Sequence, residues 1–220
     1  MNLHYVDEIL KYYSAFSTLN IPVDIIGAED DLSAYNVVVA PVLYMVKDGY
    51  DEKIRSFVKN GGSFLTTFFS GYVDKNDLVT VGGYPGKLRD ILGIWVEEED
   101  ALPEGTVNSF TYKGTTYPAE LICDLLHTEG AASNEEFYLK FIGDICDKAG
   151  VMPIMKTPRG VEATVRENKN GSFLFLLNHS EEEQTVTLPA HGHDCIHDCD
   201  YKEGDSLKIA AKDVVILQKK

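Results

Sequence analysis

The stretch NVVVAPVLYMV, residues 36–46, decides the class of fold that this sequence predicts. Its β-branched run Val37-Val38-Val39 suits a strand that is buried on both faces, as the strands of a parallel sheet are. The next segment, residues 48–60, has the apolar spacing of a helix and ends at Gly61-Gly62, which stops the helix before the apolar run SFLTTFF. A strand, a helix and a second strand in this order predict a parallel α/β layer.

Upstream of this stretch, residues 5–19 carry apolar residues at the three-and-four spacing of a helix that buries one face. The apolar residues of that face are Val6, Ile9, Leu10, Tyr13, Phe16 and Leu19. The short apolar run VDII, residues 23–26, follows Pro22 and predicts a further strand. The order helix, strand, strand, helix, strand indicates an α/β layer with right-handed crossovers.

Downstream, a Gly-rich loop between Ser70 and Gly93 contains a short helix on KLRDIL, and loops in this position of an α/β sheet often carry function. Residues 93–96 predict a strand, and the acidic run 97–100 reads as its solvated end. A last helix begins at Ser133, the expected N-cap of a capping box whose Glu136 stands three residues on.

After that helix the chain changes character. Residues 151–160 contain prolines and a glycine in a linker, and the remainder consists of short strands separated by turn signals. The predicted strands are GVEATVRE, GSFLFLLNHS, QTVTLPA, HDCIHDC, SLKIAA and DVVILQ. The sequence therefore predicts two domains, an α/β domain over residues 1–152 and a small antiparallel β domain over residues 153–220.

The composition excludes several classes of partner. Lys plus Arg total 20 against 35 Asp plus Glu, so the net charge of −15 would repel nucleic acid and anionic lipid. No segment reaches the roughly 20 apolar residues that cross a bilayer, and no signal peptide is evident, so a cytoplasmic location is expected. In such a reducing compartment the four cysteines are expected to remain thiols.

Several stretches, taken together and in order, resemble the C-terminal half of bacterial β-galactosidases of glycoside hydrolase family 42. They are LHYVDEILKYYSAF, IPVDIIGAEDDLSAYNVVVAPVLYMV, FVKNGGSFLTTFFSGYVDKNDLV, GGYPGKLRDILGIWVEEEDAL, and PRGVEATVRE with FLFLLNHS. In that family a (β/α)₈ barrel carries the chemistry. A glutamine-amidotransferase-like domain that mediates trimer formation follows, and then a small β domain.

The resemblance implies that this chain is the second and third of those domains without the first. The expected fold is thus a flavodoxin-like, amidotransferase-like parallel sheet followed by the antiparallel β domain. A retaining glycosidase needs two carboxylates about 5 Å apart. The family carries both on the barrel, so no catalytic residue is assigned here and the acidic run 97–100 is not that pair. No cofactor is implied, and the expected partners are further copies, as a trimer, or a catalytic barrel.

The chain departs from the family pattern after DLLHTEGA. There the family continues through further strands, whereas this chain runs directly into the helix at Ser133. A few tens of residues are therefore expected to be missing near residues 131–133. Losing strands from an α/β core would expose apolar surface and open sheet edges.

An independent enzyme on the amidotransferase-like fold is a first alternative. Such an enzyme uses a cysteine on a sharp strand-to-helix turn, activated by a histidine. Cys123 and His127 could share one helical face, but no glycine-flanked elbow surrounds Cys123. Ser70 follows a strand and also lacks the elbow.

A carbohydrate-binding or partner-binding module in residues 160–220 is a second alternative. Sugar binding favours exposed aromatic platforms beside polar groups. The aromatic residues in this part are Phe173, Phe175 and Tyr201, and the two Phe alternate as one face of a strand would, which favours core packing.

The stretch HGHDCIHDCD, residues 191–200, holds five potential metal ligands at odd positions, which would share one face of a single strand. These weak candidates are His191, His193, Cys195, His197 and Cys199. At about 3.3 Å per residue they spread over roughly 26 Å, so no one ion could take them all. The expectation is that a metal is absent or adventitious.

Overall fold

The computed structural model describes residues 5–103, 105–126, 130–132, 134–169 and 171–219, and of residues 97–101, 120–126 and 130–132 it describes the backbone alone. The chain divides into two compact units. Unit 1 takes the chain up to Tyr12 together with Ile25–Gly150, and unit 2 takes Tyr13–Asp24 together with Val151–Lys220. Within the described residues, no helix combines the length and the apolar character that crossing a membrane requires.

The parallel pair predicted around residues 36–69 is present in unit 1. Strand β1, Val37–Ala40, pairs in parallel with β2, Ser63–Thr66, and helix α2, Tyr50–Lys59, connects them. Ile54 and Phe57 are the buried face of α2, because they stand three residues apart on one side of the helix. Among the described residues the parallel sheet has these two strands, so unit 1 is a mixed α/β unit.

The predicted strand at residues 23–26 is wrong. These residues adopt no regular structure, and Ile25 is 76% exposed. An apolar run makes a buried strand only when a neighbour covers it, and nothing covers Ile25 here.

Helix α1, Tyr5–Thr18, confirms the helix predicted over residues 5–19. Its buried face consists of Tyr12, Ala15 and Phe16, whereas Val6 and Leu10 remain exposed. The predicted apolar face is therefore buried only in part.

Unit 1 continues with a one-turn 3₁₀ helix at Gly86–Leu88, the short helix α3, Arg89–Leu92, and an antiparallel sheet. The sheet consists of β3, Val96–Ala101, β4, Asn108–Tyr112, β5, Thr115–Leu126, and β6, Gly130–Ala132. The long strand β5 pairs with the other three. The acidic run 97–100 lies inside β3, which corrects its reading as the end of a strand over 93–96.

Helix α4, Glu135–Lys148, closes unit 1, and its N-cap differs from the prediction. The cap is Asn134, whose side chain accepts a hydrogen bond from the Phe137 N–H at 3.1 Å. Ser133 lies outside the described residues. Both are strong capping residues, so the sequence alone could not separate the two positions.

Unit 2 contains the antiparallel sheets predicted for the C-terminal part of the chain, and it also includes Tyr13–Asp24. It contains β7, Val161–Asn168, β8, Gly171–Asn178, β9, Gln184–Thr187, β10, Gly192–Asp194, β11, Cys199–Tyr201, β12, Ser206–Ile209, and β13, Val214–Lys219. One sheet has the order β11-β10-β13-β8-β7, and β9 pairs with β12. Eleven buried apolar residues form one core cluster, in which Leu176 is 0% exposed.

Candidate functional site

The loops that leave β1 and β2 lie at the carboxyl ends of the parallel strands, where α/β sheets carry their ligand and partner sites. Three hydroxyl groups join the two loops. Thr66 Oγ1 donates to the Ala40 carbonyl at 2.8 Å, Thr67 Oγ1 accepts from the Val42 N–H at 2.7 Å, and Ser70 Oγ accepts from the Leu43 N–H at 3.0 Å. We call residues 41–48 and 67–95 the loop platform.

Ser70 holds the loop platform together. It is 3% exposed, and its hydroxyl contacts the hydroxyl of Thr66 in addition to the Leu43 N–H. A nucleophilic serine needs an adjacent base and an accessible oxygen. The surroundings of Ser70 give it a structural role.

Aromatic side chains pack against one another across the loop platform. Tyr72 is at the centre, with its ring centroid 5.7 Å from that of Tyr44, 5.6 Å from that of Phe69 and 5.0 Å from that of Tyr84. Such contacts contribute about 0.5–1.5 kcal/mol per pair beyond burial. The cluster therefore gives these loops a defined shape.

Two glycines permit the backbones of the loop platform to touch. A Cβ on Gly71, whose φ is +65°, would lie 2.1 Å from the Pro85 carbonyl oxygen. A Cβ on Gly86 would lie 2.7 Å from the Gly71 carbonyl oxygen. Only glycine allows this approach, so the Gly-rich composition of residues 70–93 has a packing cause.

Arg89 fixes the end of the loop platform. Its guanidinium donates to the carbonyls of Gly82 and Gly83, at 2.6 Å each, and lies 4.5 Å from the ring centroid of Trp95. One residue thus ties the glycine turn to the indole by hydrogen bonds and a cation–π contact.

Large apolar side chains remain exposed on the loop platform. Leu78, Val79 and Val81 are 62%, 60% and 97% exposed, and the aromatic Tyr44 and Trp95 are 42% and 49% exposed. Exposed apolar groups in a rigid setting mark an interaction surface more often than a catalytic one.

The charges around the loop platform are paired with one another. Asp48 accepts hydrogen bonds from Lys75 at 2.6 Å and from Lys87 at 3.2 Å, and these hold the pKa of the Asp48 carboxyl below its ordinary value. Partial burial raises the pKa of Tyr44, with a further contribution from the carboxylate of Asp77, to which its hydroxyl is hydrogen-bonded.

The stretch HGHDCIHDCD is a β-hairpin, which corrects its reading as a single strand. β10 ends at Asp194, residues 195–198 form the turn, and β11 begins at Cys199. The chain reverses because the Asp194 carboxylate, 1% exposed, accepts from the N–H groups of Ile196 and His197 at 2.8 Å and 3.2 Å, and from His197 Nδ1 at 2.9 Å.

These hydrogen bonds also set the charge state of Asp194. Burial alone raises the pKa of a carboxyl group, but the bonds from His197 and Ile196 outweigh it, so the pKa of Asp194 lies below its ordinary value. Asp194 was not among the residues singled out from the sequence. The signal that could have found it is an Asp directly before a turn, where its side chain can accept from the N–H two residues on, a common way of closing a tight loop.

The hairpin separates the five residues that were weak candidates for metal ligands. His193 contacts Asp200 through Nδ1 at 3.0 Å and Asp198 through Nε2 at 3.4 Å, while His197 is bound to Asp194. Cys199 interacts with the Tyr201 hydroxyl, and Cys195 and His191 are exposed. No three His, Cys, Asp or Glu residues form a metal-holding group in the part of the chain that the structure describes.

The pairing of Cys123 as nucleophile with His127 as base assumed that both lie on one face of a helix. Cys123 lies on strand β5, where its backbone pairs with Asp100 and Ala131, so the helical reading of this segment is wrong. His127 lies outside the described residues. Cys146 is 1% exposed, and burial raises the pKa of its thiol to about 11, which leaves it unreactive at neutral pH.

The aromatic residues of unit 2 divide between two environments. Leu174 and Leu176 are the core-facing residues of β8, so Phe173 and Phe175 lie half-buried on the opposite face, which corrects their assignment to the core. Tyr201 packs against the core cluster.

Comparison with known proteins gives two family matches. Residues 1–144 match the β-galactosidase trimerisation domain of glycoside hydrolase family 42, and residues 160–219 match the β-galactosidase C-terminal domain of that family. The chain is 41% identical to β-galactosidase BgaA of Planococcus over 264 positions, and 40% identical to β-galactosidase LacA of Lactobacillus acidophilus over 228 positions.

The structural match is equally close. The β-galactosidase of Bacillus circulans sp. alkalophilus superposes with a TM-score of 0.94 at 36% identity, covering 99% of this chain and 38% of that one. The alignment with Planococcus BgaA likewise covers all of this chain and 38% of the relative. The chain therefore belongs to the β-galactosidases of glycoside hydrolase family 42, and it corresponds to their C-terminal part, the trimerisation domain followed by the C-terminal domain.

Proposed function

We propose that this chain is the accessory and oligomerisation region of a β-galactosidase and that it hydrolyses no β-galactoside by itself. The observation that carries the proposal is the match of residues 1–144 to a trimerisation domain, in alignments that cover the whole chain but only 38% of the relatives. Glycoside hydrolysis needs two carboxylates placed across a sugar pocket. The family resemblance assigns that pair to a barrel outside the two matched domains.

The test is hydrolysis of a chromogenic β-galactoside by the purified chain, produced in a host that lacks β-galactosidase. The expected result is a rate equal to that of buffer, with Planococcus BgaA as the positive control. Turnover that follows the 24.5 kDa chain through a second purification step would refute the proposal.

We also propose that three copies of the chain associate, or that they assemble around a catalytic barrel. The support is the printed description of the family model, a trimerisation domain, which applies to residues 1–144. Native mass spectrometry of the purified chain should give three times 24.5 kDa. A single-chain mass at every concentration would exclude self-assembly, and co-purification with an added barrel domain would then assign the partner.

We further propose that residues 1–152 form an amidotransferase-like, flavodoxin-like domain that is shortened near residues 131–133, and that residues 153–220 form the second domain. The parallel pair β1–β2 supports the topology. The alignment with Planococcus BgaA extends over 264 positions, 44 more than the 220 residues here, which supports the shortening.

Insertion of the corresponding Planococcus segment between Ala132 and Ser133 tests this proposal. Added strands would cover an open edge, so the melting temperature of the chain should rise by several degrees. An unchanged or lower melting temperature, with the inserted segment sensitive to protease, would contradict it.

A cytoplasmic location completes the proposal. The free thiols of Cys146, Cys195 and Cys199 support it, since an oxidising compartment favours disulfides. Fractionation of the source cells should recover the chain with cytoplasmic markers, and recovery from the medium would contradict the assignment.

A further inference from the structure

We propose that the loop platform is the surface through which one copy of this chain docks on a second copy. The proposal rests on the proposed oligomerisation and adds the surface that performs it. Its exposed apolar members are Tyr44, Leu78, Val79, Val81 and Trp95.

The composition of these exposed groups is that of a protein interface. Aromatic residues and arginine are enriched at interface centres, and Tyr, Trp and Arg dominate their binding energy. Tyr44 and Trp95 supply the aromatic area, and Arg89 stacks on Trp95. Val81, at 97% exposure, contributes nothing to the fold of its own copy, so its apolar side chain gains only when a partner covers it.

The distribution of charge favours this surface for contact between two copies of the chain. The whole chain carries −15, so two copies repel one another over most of their surface. Residues 69–95 hold three acidic residues, Asp74, Asp77 and Asp90, and three basic residues, Lys75, Lys87 and Arg89, so this segment is neutral. A second copy can approach here without the repulsion that it meets elsewhere.

The loop platform is also ordered before any partner binds. Ser70, Gly71 and Arg89 fix its loops by the contacts given above, and Val42 is held at a φ of +48°, a conformation that a β-branched residue adopts only under constraint. A surface that is already rigid loses little conformational entropy on association.

The polar groups argue against a sugar as the occupant. Recognition of sugar hydroxyls needs convergent polar groups with free hydrogen-bonding capacity. Here the Arg89 guanidinium is bound to two carbonyls, Asp48 to two lysines, and the Tyr44 hydroxyl to Asp77. The exposed apolar groups lie among exposed charged groups such as Lys75 and Asp77, and this mixture fits a surface that binds another protein.

The variant Val81→Glu tests the proposal with little risk to folding, since Val81 is almost fully exposed. It adds a negative charge to the surface without removing an internal contact. Ile25→Glu is the matched control, because Ile25 is 76% exposed in the same unit and lies outside the loop platform. Sedimentation equilibrium should show self-association weakened about tenfold or more by Val81→Glu and unchanged by Ile25→Glu.

Trp95 supplies a second readout, because it is the single tryptophan of the chain. Its emission maximum should shift to shorter wavelength as wild-type protein is concentrated, and Val81→Glu should suppress that shift.

The outcomes distinguish the proposed oligomerisation from the proposed docking surface. If wild type and Val81→Glu associate equally, the loop platform is not the interface and oligomerisation stands. If wild type is monomeric at all concentrations, the docking proposal and self-association into a trimer both fail. If lactose, rather than concentration, changes the Trp95 emission, the occupant is a sugar and the docking proposal is wrong.

Discussion

Unit 2, called the β unit below, and the parallel pair with its loop platform differ in how far they bury their apolar residues. The β unit gathers eleven buried apolar residues into one cluster. Around β1 and β2 the buried clusters comprise three residues each, and neighbouring loops leave large apolar side chains in solvent. Of the fourteen exposed large apolar residues in the described part of the chain, eleven belong to unit 1.

The difference indicates which region is complete by itself. A core that buries its apolar surface needs no partner, whereas a rigid loop surface that exposes valine, leucine and tryptophan gains free energy when another protein covers it. The β unit therefore buries its apolar residues without a partner, whereas the loop platform fits the proposed interface. The following substitutions test that contrast.

Leu176→Ala should have the largest effect. Leu176 is 0% exposed in the core of the β unit, and truncating it removes apolar contacts and leaves a cavity, at a cost of about 2–5 kcal/mol of unfolding free energy. Leu78→Ala, at a residue that is 62% exposed, should change the unfolding free energy by less than about 0.5 kcal/mol. Urea unfolding of both variants checks the pair, and a comparable loss in Leu78→Ala would refute the contrast.

Gly71→Ala should cause the second-largest loss of stability. The added methyl group would lie 2.1 Å from the Pro85 carbonyl, so the loops must move apart, at about 1–3 kcal/mol beyond the cost of the positive φ. Gly82→Ala is the control, since Gly82 shares the positive φ and has open space around it. Thermal unfolding should separate the two variants by several degrees, and equal melting temperatures would mean that the loops do not pack as described.

Asn20→Ala should destabilise the β unit by about 1–3 kcal/mol. Its buried side chain donates to Thr157 Oγ1 at 2.7 Å and accepts from the Ala163 N–H at 2.7 Å, and the substitution leaves that N–H without its partner. Asn20→Gly retains the φ of +54° at lower conformational cost. If the hydrogen bonds matter, both variants lose stability in urea. A loss confined to Asn20→Ala would assign the effect to backbone conformation.

Acid should destabilise the β unit slightly through Asp194. Its pKa is lower in the folded chain than in the unfolded chain, so the stabilisation is fully present above the unfolded value of about 3.9 and disappears as the pH falls through the folded value. Urea midpoints between pH 6 and pH 3 should show this loss in wild type. Asp194→Asn should be less stable at pH 6 and should show a shallower decline, and an equal slope would exclude Asp194 as a source.

The sequence predicted those parts of the fold that local signals determine. The run Val37-Val38-Val39, the stop at Gly61-Gly62 and the strands of the β domain other than HDCIHDC were confirmed. The helical reading of the segment around Cys123 was wrong, because a short apolar run has the same composition in a buried helix and in a strand. The strand predicted over residues 23–26 failed because burial depends on tertiary neighbours that a sequence window does not contain.

The candidate site was harder to predict than the fold. The ligand-rich stretch at residues 191–200 suggested a metal site. The buried carboxylate of Asp194 instead closes a hairpin in which His193 and His197 pair with aspartates. The loop platform, by contrast, consists of residues such as Val81 and Leu78 that a sequence suggests for the core. Their exposure follows from Gly71 and Arg89 fixing the loops, which depends on contacts between segments distant in sequence.

Sedimentation equilibrium of the wild-type chain over a wide range of concentration decides whether this region assembles copies of itself through unit 1. The mass should approach three times 24.5 kDa as the concentration rises, and Val81→Glu should shift it towards the single-chain mass. A mass of 24.5 kDa throughout would contradict this assembly.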